Sequence, residues 1–163
     1  MFLDIVNRRN RPFVDAVLKL HQEELLEADT YVIDMDTLVA NAKLILEEAS
    51  KKGIDLYFML KQIGRNPIIA KKLVELGYKG AVVVDFREAE IMMQHNIPLG
   101  NVGHLVQTPK NLLKDVIAYG TEVYTVFSFE KLEEINEIAK RLNKTRDVIV
   151  KVSDDHDLFY SGQ

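Results

Sequence analysis

The sequence predicts an α/β protein built on a parallel sheet, on three observations. Short, almost continuous apolar runs alternate with segments of helical period. The runs end near Lys61, Asp85, Val106, Ser128 and Val152, at spacings of 24, 21, 22 and 24 residues. Helix-opening residue types follow several of them within a few positions. Strands that are apolar throughout are those buried on both faces, as in repeated βα units.

Each element has its own local signal. Residues 11–29, "RPFVDAVLKLHQEELLEAD", are expected to be helical: Pro12 suits a first turn, and Phe13, Val17 and Leu20 recur on one face. "TYVIDMD" (30–36) reads as a short strand, with Asp36 as N-cap of a helix over 37–53. In that helix Leu38, Ala42, Ile45 and Ala49 form an apolar stripe, and Gly53 supplies the stop. "DLYFML" is the first barrel-type strand, and Asn66 with Pro67 opens a helix that Gly77 closes. "GAVVVD" follows, and Asp85 with Glu88 has the capping-box spacing for "FREAEIMMQHN". "NVGHLV" is the third strand, with Thr108 and Pro109 opening the next helix. "VYTVFS" leads through Ser128 into "FEKLEEINEIAKRL", and "DVIVKV" is the fifth strand.

The composition sets bounds. With 163 residues, 47% hydrophobic and 28% charged, the chain has the material for one globular domain. A formal net charge of −4 argues against nucleic acid or an anionic membrane as partner. The absence of cysteine excludes disulfides, thiolate metal sites and cysteine nucleophiles, and it fits a reducing cytoplasm. Charges interrupt the N-terminus too early for a signal peptide, and no apolar run approaches the roughly 20 residues of a membrane span. A cytoplasmic globular protein is expected.

Two architectures fit the repeat, a doubly wound sheet and a (β/α)8 barrel. No GxGxxG or GxxxxGK[ST] loop favours the former. Five barrel-type strands are visible, whereas closure needs eight strands and typically about 250 residues. Either the sheet is open or the chain is the first part of a longer barrel.

In such folds the reactive groups lie at the carboxyl ends of the strands. Lys61 is expected at that end, behind "YFML" and ahead of "QIGRNP". A lysine partly withdrawn from water is less firmly charged, and neutral amine is what attacks a carbonyl. A solvated lysine at the start of a loop is the other reading that position alone leaves open.

The order of three stretches bears on that choice. In "YVIDMDTLVANAKLI", Ile33, Asp34, Leu38 and Asn41 match the entry motif of the alanine racemase N-terminal family, the fold-type III pyridoxal-phosphate enzymes. The lysine strand then follows at the family's distance, and "VVVDFREAEIMMQHNIP" resembles the second strand with its Glu-Ala helix through Glu88 and Ala89. "NVGHLVQTPK" is similar to the third strand of the small pyridoxal-phosphate homeostasis branch, and "VYTVFSFEKLEEI" and "VIVKV" to strands four and five. The resemblance runs from about Tyr31 to the C-terminus and is strongest to the YhfX-like branch.

That resemblance implies an incomplete TIM-type (β/α) barrel as a single domain, with N-terminal helices and a short strand over 1–53 and the first barrel strands over 54–163. It implies pyridoxal 5′-phosphate as cofactor, Lys61 as the Schiff-base lysine and catalytic base, and a small amino acid or primary amine as substrate. A racemase- or epimerase-like isomerase is the implied enzyme, with a non-catalytic pyridoxal-phosphate-binding protein as the alternative. A homodimer is implied for the full-length protein.

Departures from the family pattern are equally informative. A tyrosine four residues after the lysine normally helps to hold the cofactor phosphate; here that position is Arg65, whose fork could grip phosphate or stand free in a turn. The fifth-strand motif normally continues into Asp-Thr-Gly and an arginine near the pyridoxal ring, but here it reads "KVSDDHDLFYSGQ". Lys151 matches a lysine that supports that missing arginine. The later phosphate turns and the second acid/base are not seen, so these 163 residues are expected to be a truncated barrel without competence as a catalyst.

Four further groups carry side chains capable of chemistry. His104, placed inside the third strand, either lines the barrel mouth beside the cofactor or is buried against a carbonyl. Ser128 is a helix N-cap that could also donate to a cofactor at the mouth. His21 and His95 belong on or beside helices, on solvated faces. Ser153–Asp157, "SDDHD", has metal-ligand residue types, but adjacent residues converge poorly on one ion, so a polar loop and no metal is expected.

Overall fold

Four parallel strands, β1 (Ala81–Val82), β2 (Leu99–Val102), β3 (Val123–Val126) and β4 (Asp147–Val150), lie side by side in the order of the chain. They belong to a computed structural model that describes residues 2–154, 156 and 157. The chain divides into two units, Met1–Asn41 and Ala42–Gln163.

In the first unit, α1 (Phe2–Arg9) and α2 (Arg11–Gln22) meet at Asn10, which caps α2 by accepting the Phe13 amide at 3.2 Å. Asn10 also donates to Asp34 Oδ2 at 2.7 Å. The short strand expected over 30–36 does not form; the chain is irregular to Asp34, and α3 (Met35–Ser50) starts at the next residue. Asp34, not Asp36, holds that helix start, accepting the Thr37 amide at 3.0 Å and its hydroxyl at 2.8 Å. These bonds, led by the Thr37 amide, favour the carboxylate and lower the Asp34 pKa.

In the second unit a βα repeat generates the fold. The first sheet-forming segment contributes a single parallel bridge, Phe58 to Ala81, flanked by the bonds Lys79 N–H to Leu56 O and Val82 N–H to Phe58 O, each 2.8 Å. The chain leaves extended geometry at Leu60 (φ −110°, ψ 11°) and enters a 3₁₀ turn, Lys61–Ile63. The helices α4 (Pro67–Leu76), α5 (Phe86–Gln94), α6 (Lys110–Tyr119) and α7 (Phe129–Arg141) then alternate with the strands. Asn66 caps α4, Asp85 caps α5 and Ser128 caps α7, each through its side-chain oxygen. Gly77 ends α4 at φ +117°, a left-handed conformation that glycine adopts without a steric cost.

The core lies between the sheet and these helices, where Val83, just past β1, and Val102, Tyr124 and Val126 of the strands are buried with Ala89, Met92, Leu113 and Ile117. The stripe of α3 is shifted from expectation: Ala42 is buried, but Ile45 is exposed. The third strand covers 99–102 and not 101–106, because the chain turns at Gly103 (φ +91°). His104 is therefore in a loop and not inside a strand.

Candidate functional site

The parallel order puts every strand's carboxyl end, and every following helix start, on one rim of the sheet. Lys61, Arg65, Asp85, His104 and Ser128 all belong to that rim by their positions after successive strands.

At the first two strand ends an ion pair forms. Gly64 and Arg65 both have left-handed backbone (φ +77° and +57°), and Arg65 Nη2 reaches Asp85 Oδ2 at 2.9 Å. Asp85 Oδ1 meanwhile accepts the Glu88 amide at 2.9 Å as the cap of α5. The capping box is displaced by one residue: Glu88 Oε2 accepts from Val84 N–H at 2.8 Å, not from Asp85. Glu88 is only 1% exposed. Its burial raises the carboxyl pKa, opposed by the Val84 amide and by the positive charges of Arg65 and Lys61. Lys61 is exposed, and Arg65 Nε is buried without a hydrogen-bond partner.

Across the opposite, inner face of the sheet lies a cavity of about 560 Å³. Val82, Val123 and Ile149 make it apolar, whereas Asn101, Thr125, His104 and Lys151 supply polar groups. Asn101 and Thr125 are bonded to each other across β2 and β3 at 3.0 Å. Lys151 Nζ also stands 5.2 Å from the centre of the Phe127 ring. At the other end of the sheet Tyr57 crosses Gly100, where a Cβ would collide with its ring, and donates to Glu122 at 2.8 Å. This bond to a carboxylate, together with burial, pushes the Tyr57 pKa up to about 12.

The structure thus brings His104 and Lys151 to one cavity, and pairs Arg65 with Asp85 on the rim. Lys61 is on the same rim but is not among the cavity-lining residues. Ser128 is exposed, accepts the Lys131 amide at 3.2 Å, and borders a separate groove with Phe127, Val150 and Lys151. In the 153–157 segment Asp154 accepts the His156 amide and Asp157 accepts the Asp154 amide; Asp155 lies outside the described residues. Asn101, Thr125 and Gln107 escaped sequence reasoning, because their partners sit 18 to 24 residues away with no local signal. Among the described residues no helix is long and apolar enough to cross a membrane.

The chain is similar to several known proteins. The chain is 40% identical over its whole length to the uncharacterized protein YhfX of Escherichia coli (strain K12), and it spans 42% of that protein's length. Its fold matches D-threonine aldolase from Filomicrobium marinum with a TM-score of 0.64 at 19% identity, over 78% of this chain and 35% of that one. Alanine racemase from Clostridium difficile 630 gives a TM-score of 0.53 at 29% identity, over 68% of this chain and 28% of the other. Diaminopimelate decarboxylase from M. jannaschii, solved with L-lysine, gives 0.53 at 24% identity, over 70% and 27%. The α/β architecture is accordingly an incomplete barrel of the type these enzymes share. Residues 33–158 match the family described as alanine racemase, N-terminal domain, and the chain belongs to that family.

Proposed function

We propose that this chain carries the cofactor-lysine portion of a pyridoxal 5′-phosphate enzyme acting on an amino acid or primary amine in a racemase- or epimerase-like reaction. Lys61 is the carrying observation by its place, directly behind the first sheet-forming segment and on the rim that also holds Arg65 and Asp85; its side chain is exposed and not withdrawn from water. A reducing cytosol is the compartment a chain without cysteine fits.

The residues present suit such a group. The orphaned, buried Arg65 Nε is a donor in want of an acceptor, as expected of a guanidinium that meets a phosphate. Ser128 Oγ and the His104 ring are polar groups on the same rim. When bound, the cofactor supplies the electron sink that makes a substrate Cα–H bond acidic. Lys61 Nζ would be the amine that holds the cofactor carbonyl, and as a free amine it would serve as the base for a proton on one face of the substrate Cα. Arg65 fixes the phosphate end, and its pairing with Asp85 holds the fork in place.

Borohydride reduction of the protein mixed with pyridoxal 5′-phosphate tests this, followed by mass analysis of the peptide carrying residue 61. A stable reduced adduct on Lys61 is expected, and Lys61→Ala should lose both that adduct and the near-visible absorbance of the mixture before reduction; an adduct elsewhere or none rejects the reading. A second reading, a protein that holds the cofactor without turnover, is favoured by the 151–157 segment. Asp154 and Asp157 there are engaged with backbone amides, and no arginine follows Lys151. Turnover on a panel of amino acids separates the two.

A further inference from the structure

The loop from Gly103 to Thr108 carries His104 and Leu105 over the inner-face cavity, and it is tied down on several sides. Val106 N–H donates to Val84 O at 3.0 Å, fastening the loop to the end of the β1 segment. Gln107 Nε2 donates to Gly103 O at 2.8 Å and to Thr125 O at 3.0 Å, so one amide closes the loop on itself and fastens it to β3. Lys131 Nζ donates to Thr108 O at 3.2 Å, and Thr108 is itself buried. The turn starts at a glycine because a Cβ at position 103 would collide with the Thr125 carbonyl oxygen. The loop is thus pressed against β3 closely enough for the Gln107 side chain to span the gap.

A primary amide is the group this geometry asks for. Two carbonyl oxygens converge on one point, and a side-chain NH2 has two hydrogens to satisfy them. A carboxylate there would face both carbonyls with lone pairs, and an aliphatic side chain would leave both without that donor.

We propose that Gln107 is a positioning residue: it sets where His104 and Leu105 stand over the cavity, and acts on the site only through them. The role assigned to His104 rests on the cofactor reading above; the positioning itself does not. The loop joins the β1 end, next to the Arg65–Asp85 pair, to the β3 end at Thr125. Loosening it therefore moves one wall of the cavity without touching the strands that form the floor.

The test uses Gln107→Leu in the protein as encoded by its gene. Amide hydrogen exchange at Val106 is expected to accelerate about 10-fold, the effect of two lost neutral hydrogen bonds, while Val116 of α6 and Tyr124 of β3 stay protected. The His104 ring resonance is expected to move, a signature that loss of stability elsewhere would not produce. Gln107→Glu, equal in volume but without the donors, replaces Gln107→Leu where that variant does not fold. Unchanged exchange at Val106 with an unmoved His104 resonance would overturn the proposal. So would acceleration spread evenly over Val116 and Tyr124, which would make Gln107 a general support of the fold. Borohydride trapping at Lys61, run in parallel, reports on the cofactor reading alone, so either idea can fail while the other stands.

Discussion

Arg65 and Asp85 form a part-buried ion pair, Nη2 to Oδ2 at 2.9 Å, that bridges the first two strand ends while Asp85 also caps α5. The two duties are separable by substitution. Asp85→Ala loses both, and unfolding in urea should show a cost of about 1–2 kcal/mol, that of a lost cap. Asp85→Asn keeps an acceptor for the Glu88 amide and should recover most of it. Arg65→Ala is expected to weaken pyridoxal 5′-phosphate binding roughly 10-fold or more, corresponding to about 1.5–3 kcal/mol for a charge-assisted bond; absorbance titration measures it.

Glu88 gives a pH signature. Burial raises its folded pKa above the ordinary 4.5, so the folded state binds the proton more tightly than the unfolded one does. Stability from this residue is full below pH 4.5 and falls as pH rises through the folded pKa. Glu88→Gln retains an acceptor for the Val84 amide and removes the charge, so the decline should flatten. Unfolding free energies measured across that range decide the matter, and an unaltered slope in Glu88→Gln would refute the assignment.

Tyr57, Gly100 and Glu122 are expected to behave as one unit. Gly100→Ala must displace the Tyr57 ring, at a cost of about 1–3 kcal/mol for overpacking. Adding Tyr57→Ala should make the two changes non-additive in a double-mutant cycle. Glu122→Gln removes the carboxylate that holds the phenol near 12, and ultraviolet titration should find Tyr57 closer to 10. The raised value stabilises the fold below pH 10, and that contribution is lost as pH rises through about 12.

The 163-residue chain by itself is expected to self-associate. Among the described residues β4 is the last strand of the sheet, and Val148, Ile149 and Val150 are 37%, 52% and 47% exposed on it. An apolar strand with an unpaired edge is a template for pairing with another chain. Sedimentation should show oligomers that Ile149→Lys shifts towards monomer; a monodisperse monomer of the unaltered chain would contradict this.

Much of the fold was legible because its signals are local. Asn66-Pro67, Asp85 and Ser128 mark helix starts through side chains acting within three residues, and the structure uses all three as caps. What sequence could not place depended on distant partners. The run "VGHLV" reads on as a strand past Gly103, but the strand stops there, where the backbone turns left-handed against the Thr125 carbonyl. Asp34, not Asp36, is the cap because the helix already begins at Met35, and it also receives Asn10 from 24 residues away. Lys61 and Arg65 were legible as rim residues from order and spacing. The Asp85 pairing of Arg65 and the Gln107 tie were not, since each spans one βα repeat.

The sequential strand order has a kinetic consequence. Each strand finds its partner one repeat along the chain, so no long loop has to close before a pairing is gained. Growth can then proceed unit by unit from the N-terminal side, each new strand and helix docking on an edge already made. A slow step is expected where an edge waits for its neighbour, and the last-formed edge is the one most open to capture by another chain during synthesis.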